Sequence, residues 1–177
     1  FDQRYSITSK QSGAMIGRTR YSIMKHMYKN NIGLLLPRQT MQDYRHVFIS
    51  KYAVDGNTLS TAKKFGSAPI FPLYLYQDEN SLENERTPNL NPEIVKEIEE
   101  KLGLKFTNEK EETSSQAGGD GSVETFAPID LLDYIYAVLH SPAYREKYKE
   151  FLKMDFPRVP YPDPKTFWQL VELGAKI

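Results

Sequence analysis

The chain has 177 residues, 40% of them hydrophobic, with 12 tyrosines, 9 phenylalanines and one tryptophan, and this content excludes disorder throughout. That length buries one real core or two small packed subdomains. The absence of cysteine excludes disulfides, thiolate metal sites and thiol catalysis, and it fits a cytoplasmic setting. The net charge of zero conceals a segregation: residues 1–76 hold 11 Lys or Arg against 3 Asp or Glu, residues 77–112 hold 5 against 11, and residues 113–177 hold 7 against 9. A polyanion would therefore meet the amino-terminal half, because phosphate binding needs a positive surface and not a positive total.

Gly13 and Gly17 flank the opening segment, and Arg18 and Arg20 lead into a short helix over residues 21–28, with Met24, Met27 and Tyr28 on one face and Asn30–Asn31 as its stop. Three runs rich in branched or aromatic residues, 32–36, 47–50 and 70–76, read as strands of one sheet. Pro37, Asp55–Gly56 and Pro69 punctuate them. From Asn91 the period changes: Asn91 caps a helix with Pro92 in its first turn, Ile94, Val95, Ile98 and Leu102 form an apolar stripe, and Gly103 closes it. Residues 109–122 carry charge, serine and glycine with Ala117 as the sole apolar side chain, so a mobile loop is expected there. Three further helices are predicted at 129–139, 142–154 and 164–173, the last two each opened by a cap residue and proline, Ser141–Pro142 and Asp163–Pro164. Between those two the PRVPYPDP segment should run extended. The fold class is thus mixed α/β (α+β), a mixed sheet with flanking helices and a helical carboxy-terminal portion. The expected organisation is a core over 1–108, the loop 109–122 and a helical tail over 123–177 packed on that core.

Residue types suited to a nucleic-acid surface lie in the basic half. Arg18 and Arg20 suit bidentate contacts to phosphate or guanine, and Lys25 a point charge. Arg38 and Gln39 follow the 32–36 strand through Pro37, so they should emerge at a strand end; glutamine suits adenine and arginine guanine. Arg45, Lys51, Lys63 and Lys64, with Ser67 and Thr61 as hydroxyl partners, form a phosphate set that would position a duplex without specifying it. The competing readings are ordinary: Arg20 paired internally, Arg38 bridging parts of the domain, Lys63–Lys64 in a solvated loop and Tyr52 in the core. His26, His46 and His140 have no metal-ligand spacing and read as structural, and Ser141 reads as a cap. Arg145, Lys147 and Lys149 alternate with Glu146 and Glu150 and read as a solvated helix face.

The order of landmarks in IDLLDYIYAVLHSPAYREKYKEFLKMDFPRVPYP, residues 129–162, resembles the carboxy-terminal specificity (target-recognition) domain of type IIG and type ISP restriction-modification enzymes, which join an adenine-N6 DNA methyltransferase to a target-reading module. Upstream, Arg20, Met24 and His26 look like the family's R-x-x-x-M-x-H, Asn31 to Leu34 like N-I-G-L, His46 to Ser50 like H-V-F-x-S, and Phe71 to Tyr76 like FPLYLY. The chain opens at Phe1 in FDQRY, which resembles the family's aromatic-Asp-x-Arg segment, so a piece of a longer protein is expected. The resemblance implies recognition of double-stranded DNA, a methyltransferase domain of the same polypeptide as partner, and no cofactor in this piece. S-adenosylmethionine and Mg2+ would belong to the parent enzyme. P-loop, Rossmann, G-x-S-x-G and Asx-Pro-Pro-aromatic motifs do not occur here, so the piece itself reads as non-catalytic. Its longest apolar runs, such as 32–36, are far too short to span a bilayer, so a soluble cytoplasmic protein with no membrane partner is expected. The alternative function is a docking module that joins the methyltransferase to another reader, with the aromatic tail as its interface.

Overall fold

The computed structural model describes residues 21–40, 43–54, 58–59, 69–77, 86–110 and 125–177. Helix α1 (Tyr21–Met24) continues as a 3-10 turn, Lys25–Tyr28. Strands β1 (Gly33–Leu35), β2 (Phe48–Ser50) and β3 (Ile70–Pro72) form an antiparallel sheet in the order β2-β1-β3. Strand β4 (Tyr74–Tyr76) pairs antiparallel with β5 (Arg86–Pro88), and α2 (Pro92–Leu102) follows. Strands β6 (Lys105–Phe106) and β7 (Thr125–Phe126) pair in parallel, and the tail holds α3 (Pro128–His140), α4 (Pro142–Lys147), α5 (Lys149–Leu152) and α6 (Phe167–Lys176). This is the mixed α/β class expected, with a helical carboxy-terminal portion.

The three-stranded sheet separates two cores because successive strand residues point to opposite faces. Leu34 and Leu36 enter the larger cluster with Ile98, Phe126, Leu139 and Phe167, whereas Leu35 joins Ile70, Met24, Met27 and Leu59 in the smaller one. The larger core draws on residues from both sides of the 111–124 segment. Its centre is a chain of ring contacts, Phe106 to Phe126 at 5.4 Å, Phe126 to Phe167 at 6.1 Å and Phe167 to Tyr134 at 5.7 Å between centroids. Glu109 and Lys110, within the stretch read as a mobile loop, are both held: Glu109 by Arg86, and Lys110 by the buried Asp130 at 2.7 Å. The rest of that stretch lies outside the described residues.

The single strand expected over 70–76 is two strands in different sheets. At Leu73 the chain leaves β3, and the crossing is held by backbone and asparagine bonds: the Leu73 N–H donates to the Ile32 carbonyl at 2.8 Å, and Asn89 donates to the Pro72 and Leu73 carbonyls at 2.9 and 2.8 Å. The helix expected over 142–154 is likewise broken, at Tyr148, into α4 and α5. Caps fall where the sequence placed them: Asn91 accepts from the Glu93 N–H at 2.8 Å, Gly103 ends α2 at φ 69°, and Ser141 accepts from the Tyr144 N–H. The third tail helix starts three residues late, at Phe167, because Pro164–Thr166 form a turn on Asp163, whose carboxylate accepts from the Lys165 N–H at 2.9 Å. At the start of α3, Asp130 accepts from the Ala127 N–H at 2.8 Å; alanine has no acceptor to return, so only half of a capping box forms.

One turn further along α3, burial pushes the Asp133 carboxyl up to about 6, the Asp130 carboxylate adds to the rise and Lys110 opposes it. An unfolded aspartate titrates at about 3.9. The folded state therefore binds the extra proton between these values, so this group's contribution to stability is present below pH ~4 and lost as pH rises through ~6. Replacing Asp133 with Asn should raise the free energy of unfolding in urea at pH 7.5 by about 1–2 kcal/mol after allowance for solvent screening, and most of the gain should be gone at pH ~4. An equal gain at both pH values would assign the effect to something other than this ionisation.

Candidate functional site

The connection from β1 to β2 carries most of the described candidate residues. Pro37 ends β1 as a buried residue, which sends Arg38 and Gln39 outward into solvent. The Arg38 guanidinium donates from Nε to the Asp155 carboxylate at 3.2 Å, just past α5. The Phe156 N–H and Arg38 together hold the Asp155 carboxyl below the usual carboxylate range. The pair is open to water, with side chains 65% and 47% exposed, so breaking it costs little and leaves Arg38 available to another anion. On the same face of the sheet Phe71 packs edge-on against Phe156, at 5.7 Å, which anchors the end of α5 beside β3.

At the other end of the connection Arg45 is exposed and paired with Asp43 at 2.8 Å. Between them Tyr44 turns inward and lies against α4 with Arg145. Arg145 is not on the solvated face the sequence suggested: it is half-buried, its Nε donates to the Leu139 carbonyl at the end of α3 at 2.6 Å, and burial lowers its pKa. Burial likewise raises the Tyr44 hydroxyl, and Arg145 opposes that rise. The sequence carried no signal for this pairing, since the two residues are distant in the chain and each is ordinary in its own element.

Beyond β2, Lys51 and Tyr52 are exposed, Tyr52 at 78%, so Tyr52 is not a core residue. The Ser50 hydroxyl locks the turn that presents them, accepting from the Tyr52 N–H at 3.0 Å and donating to its carbonyl at 2.9 Å. With Phe48, 46% exposed on the edge strand, they give a basic and aromatic rim. Lys25 lies half-buried in the 3-10 turn that covers the face of Leu35 and Ile70, the face to which the strand register also assigns Phe48. Arg18, Arg20, Lys63, Lys64 and Ser67 lie outside the described residues.

The histidines are structural where their bonds are seen. His26 is buried and its Nδ1 accepts from the Tyr76 N–H at 2.9 Å, and His140 Nδ1 lies 3.0 Å from the Tyr136 carbonyl at the end of α3. No group of three His, Asp or Glu fit to hold a metal occurs among the described residues, and no helix there is long and apolar enough to cross a membrane. Arg86 also serves the fold. Its guanidinium stacks 3.9 Å over the Tyr74 ring, grips Glu109 through two bonds and reaches the Asn30 carbonyl at 3.1 Å.

This mixed α/β scaffold thus carries arginine, glutamine and lysine outward in the β1–β2 connection and just past β2. The model of the Type ISP C-terminal specificity domain matches residues 1–177, and the chain belongs to that family. Two solved structures share the fold. The cryoEM structure of a DrdV-DNA complex is 21% identical with a TM-score of 0.58, over 93% of this chain and 14% of that one. The ATP-dependent Type ISP restriction-modification enzyme LlaBIII bound to DNA is 18% identical with a TM-score of 0.57, over 84% of this chain and 8% of that one. The chain thus spans a small fraction of the length of the structures it resembles. No curated protein matches it.

Proposed function

We propose that this chain is the DNA-sequence recognition module of a restriction-modification enzyme and positions a target duplex for an adenine-N6 methyltransferase carried on other sequence. The observation that carries this reading is the β1–β2 connection, which holds Arg38, Gln39 and Arg45 exposed at its two ends, with Lys51 and Tyr52 just past β2. Family membership and the DNA-bound state of both structural neighbours support it. In this reading Arg45 and Lys51, joined by Lys63, Lys64, Arg18 and Ser67, hold phosphates and set the register, while Arg38 and Gln39 meet base edges in the major groove. The parent methyltransferase, with S-adenosylmethionine, would then act on an adenine flipped out of the duplex. A nuclease that uses Mg2+ would likewise lie outside this chain, which itself performs recognition without catalysis in the cytoplasm.

Selection from a randomised duplex pool, followed by a salt series on the enriched site, tests the proposal. A defined site should emerge. Gln39→Ala should relax one position of that site, costing about 1–3 kcal/mol against the preferred base. Lys51→Ala should weaken all duplexes alike and reduce the slope of log K against log salt by about 1. Binding without enrichment would reduce the module to a backbone clamp.

A second reading, a non-catalytic docking module between the methyltransferase and another reader, has its own observation. An apolar groove of about 310 Å³ runs between α2, α3 and residues 159–162, lined by Ile94, Ile98, Ile135, Val159 and Tyr161 among others. An absence of duplex binding even at low salt would favour it.

A further inference from the structure

The cleft between residues 43–45 and α4 contains two buried side-chain atoms, among those of the described residues, that have no hydrogen-bond partner: the Tyr44 hydroxyl oxygen and Nη2 of Arg145. Buried polar groups are nearly always paired, and leaving one unpaired costs about 1–3 kcal/mol, so two orphans at one place ask for a partner. Tyr44 is only 5% exposed, so its hydroxyl must find a partner within the cleft. Both residues line a cavity of about 170 Å³, which Arg45 and Lys149 also line.

The charges decide what kind of partner fits. Asp43 and Glu146 border the cavity too, but Asp43 is held by Arg45 at 2.8 Å and Glu146 by Lys149 at 3.7 Å. Arg145 has no carboxylate among the described residues; its Nε is spent on a neutral carbonyl. A guanidinium can only donate, and a hydroxyl can donate, so the missing partner is an acceptor, and an anionic one offsets the uncompensated charge as water would not. The geometry points to an oxyanion site of the phosphate class, in which Arg145 Nη2 and the Tyr44 hydroxyl donate and Arg45 and Lys149 close over the ligand from the rim. Its natural occupant, resting on the recognition reading above, is one phosphate of the DNA backbone. Such a contact fixes how the tail helices sit on the duplex without choosing sequence.

The probe is inorganic phosphate against chloride at matched ionic strength, read as thermal stabilisation of the full chain, beside duplex binding over a salt series. Two variants serve: Tyr44→Phe, which removes one donor, and Lys149→Gln, which removes a rim cation that the recognition reading does not use. At ten times its Kd, phosphate should raise the wild-type Tm by about 3–5 °C. Both variants should shrink that rise, and Lys149→Gln should lower the salt slope of duplex binding by about one. If the wild type binds duplex but phosphate stabilises no more than chloride and Lys149→Gln keeps the slope, the site is refuted while DNA recognition stands. If phosphate stabilises and no duplex binds, the pocket serves free phosphate and the recognition reading falls.

Discussion

Replacing Gly174 with Ala should lower the stability of the chain by about 2–3 kcal/mol, or about 5–10 °C in Tm, although alanine is the better helix former by about 1 kcal/mol. Gly174 is buried in α6 where that helix crosses α3. A Cβ built there would lie 2.0 Å from the backbone carbonyl oxygen of Asp133 and 2.6 Å from its carbonyl carbon. A flexible side chain could move aside, but backbone inside a helix cannot, so the two helices must part. Parting them opens the contacts of Val171 and Phe167, and through Phe167 the rings of Phe126 and Tyr134. The control is Gly103→Ala at the end of α2, where nothing lies within 4 Å and only the positive φ of 69° resists, so its cost should stay near 1 kcal/mol. Thermal melts of the two variants check the ranking; equal losses would refute the helix-crossing account.

Asn31→Leu should be worse, destabilising by about 3–5 kcal/mol in urea unfolding. The Asn31 carboxamide is buried at 7% exposure and uses all of its hydrogen-bonding capacity. Its oxygen accepts from the Ile32 N–H at 2.9 Å and the Tyr74 N–H at 3.1 Å, and its nitrogen donates to the carbonyls of His26 at 3.1 Å and Tyr74 at 2.7 Å. One side chain thereby stands in for a strand partner at the start of β4 and closes the 3-10 turn before β1. Leucine matches the size and leaves four backbone groups without their bonds. Asp at the same position keeps the acceptor but turns a carboxylate oxygen toward two carbonyls, so Asn31→Asp should also fail at neutral pH. A loss below ~1 kcal/mol for Asn31→Leu would mean that these backbone groups find other partners.

Both sites support the proposed recognition surface at a distance. Asn31 sets where β1 begins, and β1 carries Arg38 and Gln39 at its far end; the packing of α3 on α6 supports the end of α3, where Arg145 is moored to Leu139. Loops can discriminate a ligand only when the scaffold beneath them holds one geometry.

Sequence alone determined the features that depend on neighbouring residues. Asn91 with Pro92, Ser141 with Pro142 and Gly103 act within one helical turn through groups a few atoms away, so α2 and the start of α4 were legible, as was the α/β class from the change of apolar period. Family membership was legible because its landmarks are ordered along the chain. What only tertiary structure decided are bonds between residues far apart in sequence. The break at Leu73 turns on Asn31 and Asn89, which lie on either side of it in the chain. The pairing of β6 with β7 spans the polar stretch that read as a boundary, because a two-residue strand has no period to detect. Among the candidate residues, sequence could name the cations but not their faces. Lys25 lies in the turn over the face of Leu35 and Ile70, Arg38 meets Asp155, and Arg145 is drawn inward beside Tyr44, placements that no local pattern specifies.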